Sequence, residues 1–189
     1  MLRFLLATLI LAIANAQPGG NNPRAPTLSP DQFQEMLPTL DVIVDVRRAE
    51  QWAQGHVAGA YFLENLALFG TSDQVTSPAN LSGCEYCDIV VYCLLGGRAG
   101  RALTHLLDAN FSGRLYNGLG VSNLTAAGWE LVNGTSQVPA CHTDPAASQA
   151  CYDRWLARQD TSGSTTSFSF DVATVFLWTA VTGYLAFAI

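Results

Sequence analysis

Asp88-Ile89-Val90-Val91-Tyr92-Cys93-Leu94-Leu95-Gly96-Gly97-Arg98-Ala99 is the stretch that decides how this chain folds. Its first half is short, β-branched and apolar without alternation, the pattern of a strand buried on both faces. Two glycines then lead into Arg98 to Leu107, where Ala102, Leu103, Leu106 and Leu107 recur at helical spacing. A strand that ends in Cys and turns through Gly-Gly into a helix sets the sulfur among backbone N–H groups, at the positive end of the helix dipole. Such surroundings favour thiolate over thiol. Arg98 adds a permanent cation. Cys93 is therefore the candidate reactive residue.

Working outward, Ser29-Pro30-Asp31-Gln32 reads as a capped helix start, with Ser29 as cap and Gln32 at the capping-box position. Leu40 to Val46 is a second buried strand, and Ala49 to Gln54 is compatible with a helix. Gly55-His56-Val57-Ala58-Gly59-Ala60 is a turn before a strand at Tyr61-Phe62-Leu63, and Glu64 to Gly83 is irregular. Arg114 to Tyr116 suits a strand and Val121 to Ala127 a helix. Strands alternating with helices predict an α/β fold with a central parallel sheet covered on both sides.

With these residues in view, the chain resembles the rhodanese-like family, single-domain type. Asp45-Val46-Arg47, Glu50, Trp52 and Gly55 to Ala60 match the family's first motif. Ile89 to Cys93 with Gly96 and Arg98 matches its active-site strand and loop, and Gly118-Leu119-Gly120 with Ala126-Ala127-Gly128 its closing segment. The match covers roughly Ser29 to Val132. The resemblance implies a three-layer α/β domain in which Cys93 accepts a sulfane sulfur as a persulfide and passes it to a nucleophile. Backbone amides of Leu94, Leu95, Gly96, Gly97 and Arg98 would cradle the anion, with Arg98 closing the loop. The donor would be a small sulfur compound such as thiosulfate and the acceptor a thiol or cyanide. No cofactor or metal is expected. The Cys-x4-Arg loop has the sulfurtransferase length, one residue shorter than in the related cell-cycle phosphatases. Leu94 and Leu95 are apolar where many sulfurtransferases carry a polar residue. Asp45, Arg47 and His56 are read as supporting residues that organise loops.

The five cysteines leave one unpaired. With Cys93 as the free thiol, Cys84, Cys87, Cys141 and Cys151 can pair in three ways. The expectation is Cys141 with Cys151, bracing a C-terminal helix over Ala146 to Gln159, and Cys84 with Cys87. Cys84-Glu85-Tyr86-Cys87 could also be a redox motif serving Cys93. His142 lacks a second ligand pair at zinc-finger spacing.

Both ends read as processing signals. Residues 1–16 carry Arg3, an apolar run and Ala14-Asn15-Ala16, a cleavable signal peptide too short to span a bilayer. Residues 17–28 form a flexible linker, 29–135 the domain and 136–164 a C-terminal extension. Residues 165–189 are a spacer and apolar tail, read as a GPI signal with attachment at Ser162, or else a transmembrane anchor. Sequons at Asn80, Asn110, Asn123 and Asn133 agree with export. The chain has nine Arg and no Lys, and its net charge is −6. An acidic chain without a basic run has no nucleic-acid footprint.

The functional expectation is a secreted or cell-surface sulfurtransferase working through Cys93, reached by the secretory pathway and held on the membrane by its tail or a lipid. A non-catalytic binding module and a thiol-redox protein using Cys84 and Cys87 are the alternatives. The sequence names no protein partner.

Overall fold

The computed structural model describes residues 24–64 and 79–161. The signal peptide, most of the linker, Ser162 and the apolar tail lie outside these residues. The chain divides into two units, Met1–Ala157 and Arg158–Ile189. The described part of the second is the last turn of a helix.

Among the described residues ten elements follow in order: α1 (Pro30–Met36), β1 (Val42–Asp45), α2 (Ala49–Trp52), β2 (Tyr61–Phe62), β3 (Ile89–Cys93), α3 (Gly97–Asp108), β4 (Leu115–Gly120), α4 (Val121–Ala126), α5 (Ala140–Thr143) and α6 (Pro145–Thr161). Short 3-10 turns stand at Leu37–Thr39 and Ala79–Leu81. The expected capping box at α1 forms: the Ser29 hydroxyl accepts from the Gln32 amide, and the Gln32 side chain accepts from the Ser29 amide.

The strands make one parallel sheet in the order β2-β1-β3-β4. Val44 pairs with Val91, and Val91 with Asn117. The expected α/β architecture is therefore present, with the sheet between two apolar layers. On one face Val42, Val44, Ile89, Val91 and Cys93 pack with Ala99, Ala102, Leu103 and Leu106 of α3. On the other, Val90 and Tyr92 pack with Phe33 of α1, Leu124 of α4, and Trp52. Every residue of β3 is buried, which is why that strand reads as an uninterrupted apolar run.

β4 extends beyond the expected Arg114 to Tyr116. Gly118 and Gly120, expected as part of the closing segment, lie within the strand, where close neighbours leave no room for side chains. A β-carbon on Gly118 would lie 2.9 Å from the Phe33 ring and from Val90. Between Val91 and Cys93 the β3–β4 register slips, so that Cys93 faces Gly120. This bulge re-aims the end of β4 toward the loop after Cys93.

Candidate active site

Cys93 ends β3 on the α3 side of the sheet and is 1 % exposed. Gly96 caps α3 with φ 89, a left-handed conformation that folds the loop back over the sulfur. The Gly96 amide donates to Cys93 Sγ at 3.1 Å. One amide, that of the residue capping a 12-residue helix, thus meets the sulfur, and a hydrogen bond and a helix N-terminus both favour negative charge. The candidate cradle spans Leu94 to Arg98, the loop between β3 and α3. Within it Leu95 is 63 % exposed while Gly96 is buried.

Arg98 is the second residue of α3, and its Nη2 donates to Gln51 Oε1 on α2 at 2.8 Å. Gln51 is neutral, so the contact orients the guanidinium without cancelling its charge. Behind the loop, buried Asn117 holds three elements together. Its Nδ2 donates to Gly96 O at 3.4 Å, and its Oδ1 accepts from the Leu119 amide at 2.9 Å. Its backbone amide donates to Pro26 O, and its carbonyl accepts from the Leu28 amide. Leu119 has φ 62, unusual for a branched side chain. The Asn117 bond secures that conformation where β4 bulges.

The family model described as Rhodanese-like domain matches residues 29–126, just over half of the chain. The chain belongs to the rhodanese-like family. This rhodanese-like chain is similar to a rhodanese-related protein from Thermoplasma volcanium at 14% identity, over 57% of this chain and 98% of that one, with TM-score 0.43. It is also similar to a thiosulfate sulfurtransferase from Pseudomonas aeruginosa at 20% identity, over 67% of this chain and 24% of that one, with TM-score 0.49. A Rhodopseudomonas palustris protein described as a possible tyrosine phosphatase is similar at 21% identity, over 59% and 88%, with TM-score 0.49. No curated protein matches the chain.

In this rhodanese-like domain the supporting residues form a buried network beneath the loop, on the opposite face of the sheet from Cys93. Arg47 Nε donates to both Asp45 oxygens, at 3.0 and 2.8 Å, and its Nη2 donates to Gly55 O at 2.6 Å. The Asp45 carboxylate also accepts from the Arg47 amide. Tyr92 Oη accepts from the Val57 amide at 3.1 Å, and the Arg47 guanidinium stands 5.8 Å from the Tyr92 ring centre. Burial, together with the Asp45 carboxylate, pushes the Tyr92 hydroxyl far above its ordinary range. His56 stacks on Trp52 with ring centres 3.5 Å apart, and its Nδ1 is buried without a hydrogen-bond partner. Burial lowers the His56 pKa; the Trp52 backbone and Asp45 pull it up less strongly, and Arg47 adds to the lowering. The network ties the Asp45 turn and the Gly55 turn to β3.

The cysteine pairing is a correction. Cys84 bonds Cys141 and Cys87 bonds Cys151, in place of the expected Cys84–Cys87 and Cys141–Cys151. The reason lies in local geometry. Cys84 and Cys87 bound one hydrogen-bonded turn, with the Cys87 amide on Cys84 O, and both are buried against the extension. Cys151 stands six residues into α6, about 9 Å of helical rise from Pro145, which carries it away from Cys141 and toward Cys87. Cys93 is the free cysteine.

Three contributors escaped the sequence reading: Tyr92, Asn117 and Gln51. Asn117 carried a signal, a polar residue inside an apolar strand run, whereas Gln51 looked like any helix-surface residue. The four sequon asparagines, Asn80, Asn110, Asn123 and Asn133, are all exposed. Among the described residues no helix is long and apolar enough to cross a membrane.

Proposed function

We propose that the protein is an extracellular or cell-surface sulfurtransferase that carries sulfane sulfur on Cys93. The observation that carries this reading is the Gly96 amide on Cys93 Sγ at the start of α3. The Cys93 thiolate attacks the outer sulfur of a donor such as thiosulfate. The Cys93–S bond forms, the S–S bond of the donor breaks, and sulfite leaves with the bonding electrons. The terminal sulfur of the persulfide is then taken by cyanide as thiocyanate, or by a thiol, and the Cys93 thiolate returns. The loop amides hold the charge on the persulfide, and Arg98, positioned by Gln51, supplies the cation for an anionic donor. Export is supported by the signal-like start, the exposed sequons and two disulfides, which persist in oxidising compartments. Attachment at Ser162 or by the apolar tail belongs to the same reading.

The test is cyanide-dependent thiocyanate release from thiosulfate and from other sulfane donors. Wild-type protein that is no more active than Cys93→Ser with any donor would sink the proposal. A glycosidase shift on the exported chain, and its release from cells by a phosphatidylinositol-specific lipase, test glycosylation and the anchor separately.

A second reading, a non-catalytic binding module, is favoured by one observation: Cys93 is 1 % exposed while apolar Leu95 protrudes at 63 %. Mass spectrometry of the exported domain distinguishes the two. A Cys93 that is irreversibly oxidised or stably capped points to the module.

A further inference from the structure

Away from Cys93, three observations converge on the two disulfides. A surface cavity of about 330 Å³ is lined by Ser82, Gly83, Cys141, His142, Thr143, Pro145 and Ser148. Cys141 is the least covered of the four paired cysteines, 6 % exposed against 0 % for Cys84 and Cys87 and 3 % for Cys151. His142 Nδ1 lies 3.1 Å from Ser82 O and 3.2 Å from Ser82 Oγ. A carbonyl can only accept, so Nδ1 carries the hydrogen, and in the neutral ring it is then Nε2 that has the lone pair able to take a proton.

The second observation is proximity: the sulfurs of Cys84, Cys87 and Cys141 all lie within 4.8 Å of one another. The two disulfides are thus neighbours. The third is a cation at the far end of the array. Arg154 Nη2 donates to Cys151 Sγ at 3.4 Å and is held by an ion pair with Asp41, whose carboxylate also lies within 4.8 Å of the Cys87 and Cys151 sulfurs. The directed hydrogen bond from Arg154, more than net positive charge, is what favours departure of Cys151 as thiolate.

We infer that Cys141 is a thiol-acceptor site, where a low-molecular-weight thiol entering the cavity starts an exchange that ends with release of Cys151. The thiol gives its proton to His142 Nε2 and attacks Cys141 Sγ. A mixed disulfide forms, the Cys84–Cys141 bond breaks, and Cys84 leaves with the bonding electrons. The Cys84 thiolate, shielded from solvent, attacks Cys87 Sγ. The Cys84–Cys87 bond forms, the Cys87–Cys151 bond breaks, and Cys151 leaves as a thiolate beside Arg154, where the proton from His142 finally resides. One thiol is consumed and one appears. Two disulfides stand at the start and two at the end, so no oxidant or reductant is needed. A single thiol equivalent removes both links between residues 84–87 and the extension.

The probe is reduced glutathione, incubated with the folded full-length wild-type chain, then quenched with acid, alkylated with N-ethylmaleimide and mapped without reduction. The expected products are glutathione on Cys141, a Cys84–Cys87 disulfide and alkylated Cys151. His142→Gln slows adduct formation. Arg154→Gln slows Cys151 release, because the departing thiolate loses its hydrogen-bond donor, and Arg154→Lys restores most of the rate. Glutathione on Cys87 or Cys151 overturns the inference. So does an alkylated Cys84 with Cys87–Cys151 intact, or a folded chain whose two disulfides do not exchange.

Discussion

Gly120 lies directly against Leu94: a β-carbon placed on Gly120 would stand 2.2 Å from the Leu94 carbonyl oxygen. The end of β4 therefore sets the position of the Leu94–Leu95 peptide, in the loop after Cys93. The φ of Gly120 is −134, open to any residue, so the requirement for glycine is steric. Gly120→Ala forces the loop to move and costs about 1–3 kcal/mol, the usual size of overpacking. If the Proposed function holds, thiocyanate release falls more than the midpoint of urea unfolding predicts. An alanine variant with wild-type rate and stability would show that the contact does not shape the loop.

Asp45 and Arg47 form a buried pair, 0 % and 2 % exposed, whose hydrogen bonds also reach Gly55. Removing one partner strands the other charge in the core. Asp45→Asn and Arg47→Met are each expected to lose about 3–5 kcal/mol. The measurement is equilibrium urea unfolding, with the double variant closer to either single than to their sum.

Much of this was legible beforehand where contacts are local. The run from Ile89 to Cys93 announced a strand because every position in it is buried, and Asp45 and Arg47 are two residues apart, so their pairing is written in one short motif. What stayed hidden joins distant segments. Gln51 meets Arg98 only because α2 and α3 converge, and Tyr92 reaches Val57 across the sheet. The disulfide partners depended on how far α6 rises before Cys151, which spacing between cysteines does not encode.

Asn117 couples the β4 bulge to the helix cap at Gly96. Asn117→Ala leaves the Leu119 amide without its buried partner, a loss of about 1–3 kcal/mol. Amide hydrogen exchange should quicken at Leu119 and Gly96 while α6 stays protected. Equal loss of protection throughout the domain would contradict a local role.

His56 makes stability depend on pH. Its folded pKa lies below the ordinary 6.5, so below that pH the unfolded chain takes up a proton that the folded chain resists. Stability contributed by neutral His56 is complete above about pH 6.5 and is lost as pH falls below it. His56→Phe keeps a ring on Trp52 and removes the titration. The unfolding midpoint of wild type relative to this variant should decline from pH 7.5 to pH 5.5, and a constant difference would refute the assignment.

The two disulfides interleave along the chain, 84 with 141 and 87 with 151. During synthesis Cys84, Cys87 and Cys93 therefore emerge well before either true partner exists. Wherever disulfides form on nascent chains, the early thiols can meet only one another, and the native arrangement waits for the last helix. Burying Cys93 at the end of β3 withdraws it from that competition as soon as the sheet closes, so the order of assembly itself preserves the one free thiol.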